Sequence, residues 1–196
     1  MVHLKKNIYK SLVISCDGGA ASGKTTGAKL ISKKYNLKFL SSGLLYRYAA
    51  YLLLTKKYQN KITFLRKKFK NLDYRKLNNM NLHSPKISEY SAVIAKKQSV
   101  RKILKHYQIK FSKKYKNCCI EGRDISTKIL PKSDLKFFFI CNINIAALRR
   151  FKELKKRSKN IKLKDVKMAL KMRNKLDKQR KISPLLKHRN SIIVNS

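Results

Sequence analysis

The stretch SCDGGAASGKTT, Ser15–Thr26, constrains the fold more than any other part of the chain. Within it, Gly18–Thr25 reads G-G-A-A-S-G-K-T, a full match to the pattern G-x-x-x-x-G-K-[ST]. Such a loop needs a buried strand before it and a helix after it. The short apolar run KSLVISCD, Lys10–Asp17, supplies the strand, and a helix is expected from about Lys24 to Tyr35. Glycines let the backbone wrap closely, so that successive N–H groups point at phosphate oxygens. The N-terminal end of the following helix adds its dipole. Lys24 can bridge β- and γ-phosphates, and Thr25 can coordinate Mg²⁺ directly or through water. The motif alone leaves the destination of a phosphoryl group open: water, a small metabolite, another nucleotide, or none.

The rest of the chain repeats strand and helix. LKFLSSG (Leu37–Gly43) reads as a second short strand and loop, and LLYRYAAYLLLTKKY (Leu44–Tyr58) as a helix. Lys61 to Lys86 is Lys/Asn-rich and weakly periodic and ends at the turn signal HSPK, which marks a small inserted segment. Ile87–Phe111 is helical in two pieces. NCCIEGRD (Asn117–Asp124) repeats the opening logic of strand then glycine, and DLKFFFICN (Asp134–Asn142) is another buried strand. Two helices joined by a Lys-rich loop near Arg157–Leu163 fill residues from about Ile145 to Arg180, and SIIVNS (Ser191–Ser196) is a last strand. Strands alternating with helices predict parallel βαβ units and a three-layer α/β fold in one domain, residues 1–196. The functional loops are expected together beyond the carboxyl ends of the strands.

The net charge is +41, from 50 Lys plus Arg against 9 Asp plus Glu. That invites a nucleic-acid reading. The lysines, however, are spread along every segment, Asn, Ile and Tyr are plentiful and Trp is absent, which reads as compositional drift. Weak, salt-sensitive binding to polyanions is expected either way, without a specific nucleic-acid partner. The scarce acids are more informative, because Asp17, Glu121, Asp124 and Asp177 all fall in motifs. Cys16, Cys118, Cys119 and Cys141 match no zinc spacing and are expected as reduced, buried core thiols. No apolar run approaches a membrane span, and the first residues do not resemble a secretion signal, so a cytoplasmic protein is expected.

Three further motifs carry chemistry. In SSGLLYR (Ser41–Arg47), Arg47 lies near the N-terminal end of a helix, where a guanidinium can grip phosphate in bidentate fashion. In EGRD (Glu121–Asp124), at the end of a buried strand, Arg123 suits a phosphate and Asp124 can accept from an exocyclic amine. In RNKLDKQRKISPL (Arg173–Leu185), Arg173, Asp177 and Arg180 are spaced by four and three residues and share one helix face.

These four motifs, with Pro131 after EGRDIST, occur in an order and at separations that resemble the bacterial cytidylate (CMP) kinases, a branch of the nucleoside-monophosphate kinases, over about Ser11–Ser196. The resemblance implies a five-stranded parallel sheet with helices on both faces, a helical lid at about residues 149–163 and a shortened monophosphate-side insert at 58–86. It implies transfer of the γ-phosphoryl group of ATP to CMP or dCMP with Mg²⁺, by a monomer. Gly18, Gly19, Ala20, Ala21, Ser22, Gly23, Lys24, Thr25 and Thr26 go to ATP, with Thr25 on the metal. Ser42, Arg47, Arg101, Arg123, Asp124, Arg173, Asp177 and Arg180 go to the monophosphate. Arg101 and Asp124 meet the cytosine edge, Asp177 and Arg173 the ribose, and Arg47, Arg123 and Arg180 the acceptor phosphate. Lys24, Arg123 and Arg180 are the catalytic set, with lid arginines from the Arg149, Arg150 and Arg157 region. The family usually has Pro at Gly19, Asp at Ser41 and Gly at Ser126, and Arg is common at Leu176. Ala92 stands where a substrate-contacting serine is usual, with Ser91 beside it, and a helix usually follows the last strand.

Three other readings compete, one of them a degenerate kinase, suggested by the departures from the family pattern; the other two differ in chemistry. One is a P-loop kinase acting on UMP, AMP or a shikimate-like metabolite. The other is a nucleotide-dependent RNA-binding protein, supported by the charge but lacking a basic cluster interleaved with aromatics.

Overall fold

The structure, a computed structural model, describes residues 11–155 and 160–196. The chain divides into two compact units. The first takes the chain up to Phe39 together with Asn117–Ser196, and the second is Leu40–Lys116.

The first unit is built on a five-stranded parallel sheet in the order β2-β3-β1-β4-β5. Its strands are β1 (Leu12–Gly18), β2 (Lys38–Ser41), β3 (Asn117–Gly122), β4 (Leu135–Ile140) and β5 (Ile192–Asn195). β1 is central, with Cys16 opposite Glu121 of β3 and opposite Phe137 of β4. Alternate residues of a strand face opposite sides of a sheet, and β1 uses both sides. Leu12, Ile14 and Cys16 join Ala28, Leu37, Cys119 and Phe139 in one apolar core. Ser15 and Asp17, fully buried, face the other way and bind polar groups of the connecting loops.

Helix α1 (Lys24–Lys34) follows the glycine loop, with Lys33 and Lys34 in its last turn, where cations suit the helix dipole. It stops at a left-handed Asn36 (φ 52°), with Leu37 N–H donating to the Ser32 carbonyl at 2.8 Å. That bond, six residues back to one, is a Schellman ending. Helices α6 (Ile143–Lys155) and α7 (Leu163–Gln179) pack on each other and on the loop through Ala20, Ala146, Ala147, Val166 and Leu170.

The second unit is helical: α2 (Ser42–Thr55), α3 (Lys61–Lys70), α4 (Pro85–Ile94) and α5 (Gln98–Lys114). Within the expected insert, where the sequence reading named no element, the structure has helix α3 and a 3-10 turn (Tyr74–Asn79). Asn60 caps α3 by accepting from the N–H groups of Ile62 and Thr63. Leu65, Phe69, Leu77 and Leu82 from this segment are buried, with Phe69 edge-on to Tyr48 and Tyr107. The lysines that mask the helical period are the exposed face of a helix whose apolar residues stand four apart. HSPK is a helix start: Ser84 caps α4 and Pro85 takes its first position. Helix α2 begins at Ser42, earlier than the expected Leu44, because Ser41 Oγ accepts from Leu44 N–H. It ends at Thr55 rather than Tyr58.

Cys16, Cys118 and Cys119 are buried, but Cys141 lies just beyond β4 and is half-buried, so the expectation of four core thiols fails for it. Burial pushes the Cys118 thiol up to about 12. Among the described residues, no helix is long and apolar enough to cross a membrane.

Candidate functional site

The glycine loop leaves the carboxyl end of β1 and opens α1. Gly18 has no room for a side chain: a Cβ there would lie 2.5 Å from the Phe139 carbonyl oxygen. Gly23, at φ 72°, caps α1 in the left-handed region, and Ala21 shares that region at φ 56°. Such turns line peptide N–H groups around a concavity, an anion-binding geometry. Ser22 Oγ is buried there with no hydrogen-bond partner among the described residues, a polar group suited to a ligand rather than to the fold. Thr25 is exposed on the first turn of α1. Among the described residues no cluster of three His, Cys, Asp or Glu could hold a metal ion. One hydroxyl with phosphate oxygens and water fits Mg²⁺, which keeps several waters and takes few protein ligands.

Lys24 is buried. Its ammonium donates to the Gly19 carbonyl at 3.0 Å and lies 4.0 Å from Glu121 Oε2. Burial, then the nearby charge of Arg123, lowers its pKa to about 7, with Glu121 opposing the fall. β3 thus delivers Glu121 beneath the loop as well as Arg123 and Asp124 beyond it. The sequence places Glu121 in a motif without a role; its contact with Lys24 joins β3 to the start of α1.

Arg123, Asp124, Asp177 and Arg180, expected at the monophosphate, form one ion network in the first unit. Arg123 Nε donates to Asp177 Oδ2 at 2.8 Å. Arg180 Nη1 donates to Asp177 Oδ1 at 3.3 Å, and Arg180 Nη2 lies 4.0 Å from Asp124 Oδ1. Arg123 and Asp124, neighbours in sequence, therefore take their ionic partners from the helix α7 side. Burial raises the Asp177 pKa, but Arg123, Arg180 and Arg173 outweigh it and hold the carboxyl below its usual value. Arg173 is half-buried on α7 within one turn of Asp177.

Asp124 is placed by a second carboxylate. Asp17 accepts from the N–H groups of Ile125 and Ser126, both at 2.8 Å, and from Ser126 Oγ at 2.6 Å. These bonds pin the π-helical turn Ile125–Ile129 that follows Asp124. Burial raises the Asp17 pKa, against those hydrogen bonds. Ser126, one of the departures from the family pattern, makes two of the three bonds, and its hydroxyl, which the family's usual Gly lacks, makes one of them. Ser126→Ala is expected to lower the unfolding free energy by about 1–2 kcal/mol in a urea titration. An unchanged midpoint and slope would remove the hydroxyl from the account.

In the second unit, Ser42 is buried at the start of α2 and Arg47 is half-buried one turn on. Arg101 of α5 is 6% exposed; Nη1 donates to the Ala95 carbonyl at 3.1 Å and the guanidinium lies over the Tyr46 ring at 5.6 Å. Ser91 is buried and donates its hydroxyl to the Ser88 carbonyl at 2.7 Å. Of the expected lid arginines, Arg149 Nη1 reaches Ser196 Oγ at 3.3 Å, and Ser196 Oγ donates to the Ser22 carbonyl at 3.0 Å. Arg150 pairs with Glu153 on the surface, and Arg157 lies outside the described residues.

Asn174 lies in the motif RNKLDKQRKISPL, where the sequence alone assigns it no role. Its Oδ1 accepts from Ala20 N–H at 2.8 Å, across 154 residues of sequence. Nothing local to α7 signals that bond.

The profile of the family described as cytidylate kinase matches residues 14–196. A cytidylate kinase of Rickettsia canadensis is 34% identical over 97% of this chain and 87% of its own length. One of Bartonella tribocorum is 35% identical over 95% and 87%. Among solved structures, an uncharacterised protein of Eubacterium ventriosum aligns with a TM-score of 0.51 at 17% identity, covering 94% of this chain and 87% of that one, a likeness of fold.

Proposed function

The chain belongs to the cytidylate kinase family, and from that premise we propose that it transfers the γ-phosphoryl group of ATP to CMP or dCMP, giving ADP and CDP or dCDP. The observation that supports this best is the pairing of a glycine loop around Lys24 with the network of Arg123, Asp124, Asp177 and Arg180. One group suits a polyphosphate. The other offers cations for a second phosphate and carboxylates for hydroxyls and an amine.

Phosphoryl transfer calls for little covalent chemistry from the protein, so positioning and charge neutralisation carry the catalysis. A phosphate oxygen of CMP attacks the γ-phosphorus in line. The bond from that phosphorus to the β,γ-bridging oxygen breaks, leaving its electron pair on ADP. Lys24 meets the charge on the transferred group from the donor side. Arg123 and Arg180 meet it from the acceptor side, held in place by Asp177. Asp124 accepts from the cytosine 4-amino group. Ser42, Arg47 and Arg101 keep their assignment to the monophosphate, and Arg173 with Asp177 to the ribose. Thr25 is the residue that would hold Mg²⁺, which would supply additional charge neutralisation. A monomer in the cytoplasm remains part of the proposal.

CDP formation from ATP and CMP, compared with UDP formation from UMP, tests the reading. Strong preference for CMP is expected, and equal rates or no transfer would sink it. Asp124→Ala is expected to shrink the CMP-to-UMP ratio of kcat/KM about tenfold, the scale of an unpaired polar group in a site built to bind it. A ratio that stays put removes Asp124 from base reading.

A further inference from the structure

We propose that Asn174 is a positioning residue for the donor loop: its side-chain oxygen orients the Gly19–Ala20 peptide, and that peptide in turn seats the ammonium of Lys24. The observation is a single peptide plane occupied at both ends. The Ala20 N–H donates to Asn174 Oδ1 at 2.8 Å, and the Gly19 carbonyl accepts from Lys24 Nζ at 3.0 Å. These two groups belong to one rigid trans peptide and point in opposite directions. Holding the N–H therefore aims the carbonyl.

Gly19 explains why the tether is needed and why it fits. Glycine leaves its backbone dihedrals freer than any other residue, so the Gly19 backbone does not by itself fix this plane. A Cβ built on Gly19 would lie 3.1 Å from Asn174 Oδ1, so the same missing side chain admits Asn174 at close range. Neighbouring loop residues are held by the same elements, since Ala20 and Ala21 pack in the apolar cluster of α6 and α7. Asn174 also sits beside Arg173 and less than one turn before Asp177. One turn of α7 thus carries both the tether of the donor loop and the anchor of Arg123 and Arg180. The inference rests on the reading of Gly18–Thr26 as the ATP loop.

The test measures ATP affinity by calorimetry and kcat with CMP for wild type, Asn174→Ala, Asn174→Asp and Gly19→Ala. Loss of the acceptor in Asn174→Ala is expected to weaken ATP binding about three- to tenfold and to lower kcat by a similar factor, the scale of one hydrogen bond. Asn174→Asp keeps an acceptor oxygen and is expected to restore both to within about twofold. Gly19→Ala crowds Asn174 and is expected to reproduce the defect of Asn174→Ala, so that the double variant is no worse than either single one. Should Asn174→Ala fail to fold, Gly19→Ala and Asn174→Asp still decide the question. Wild-type affinity and turnover in a folded Asn174→Ala, equal impairment of the alanine and aspartate variants, or additive effects of the two sites would overturn the proposal. A wild-type chain that binds ATP without phosphorylating CMP would sink the acceptor assignment, and the binding measurements would still decide this inference. A wild-type chain that does not bind ATP overturns both.

Discussion

Lys24→Met is expected to lower kcat by about a hundred- to a thousandfold while leaving the chain folded. The side chain is buried in the glycine loop, and in its protonated form it is a preorganised cation for the charge that develops on a transferring phosphoryl group. Its stability signature has a definite sign. Burial and Arg123 bring the Lys24 pKa from 10.5 down to about 7. Between those values the unfolded chain holds a proton that the folded chain has released, so this group makes the native state more stable as pH rises from about 7 to about 10.5. Below that window the charged, buried lysine imposes its full cost. The methionine variant lacks the slope, so the stability difference between variant and wild type is largest near neutrality and shrinks in alkali. Urea titrations at pH 7, 8 and 9 with a turnover assay check both halves. Near-normal turnover in the variant would remove Lys24 from the catalytic set.

Asp177→Ala is expected to be the most destabilising change in the site. Its carboxylate takes Arg123 at 2.8 Å and Arg180 at 3.3 Å, and the side chains of all three are less than a fifth exposed. Removing it leaves two largely buried guanidiniums short of an anion, with Arg173 and Lys24 adding like charge. Breaking such a pair from one side costs about 3 kcal/mol. Kinetically, the two arginines lose their fixed orientation, so KM for CMP rises as well as kcat falling. The pH dependence again follows from the shift. Asp177 titrates below its ordinary 3.8, so its contribution is present above that value and disappears as pH falls through the folded-state pKa. The stability gap between wild type and Asp177→Ala should therefore narrow below about pH 4. A gap that is absent, or indifferent to acid, would show that Asp177 does not hold the network.

Much of this was legible because the signals are local. The loop at Gly18–Thr25 announces itself through residues within one strand, one turn and the start of one helix. The apolar runs of β1, β3 and β4 are short and carry few polar residues, as buried parallel strands do. Composition masked the second unit, where lysines between Leu65 and Phe69 hid a helix that Asn60 caps. The same lysine load made a charge of +41 look like a message, whereas four of the nine acids are the discriminating residues: Asp17, Glu121, Asp124 and Asp177 each take a specific partner in the fold.

By itself the amino-acid sequence determined the glycine loop, the alternation of strand and helix, and the set of residues whose chemistry suits phosphate, because these depend on residue type and near-neighbour spacing. Only the tertiary structure decided which charges meet. Arg123 pairs with Asp177, 54 residues on; Asp17 holds the turn at Ser126; Asn174 reaches Ala20 across 154 residues. A hydrogen bond between elements depends on how β1, β3 and α7 pack in three dimensions, and no spacing along the chain encodes that distance.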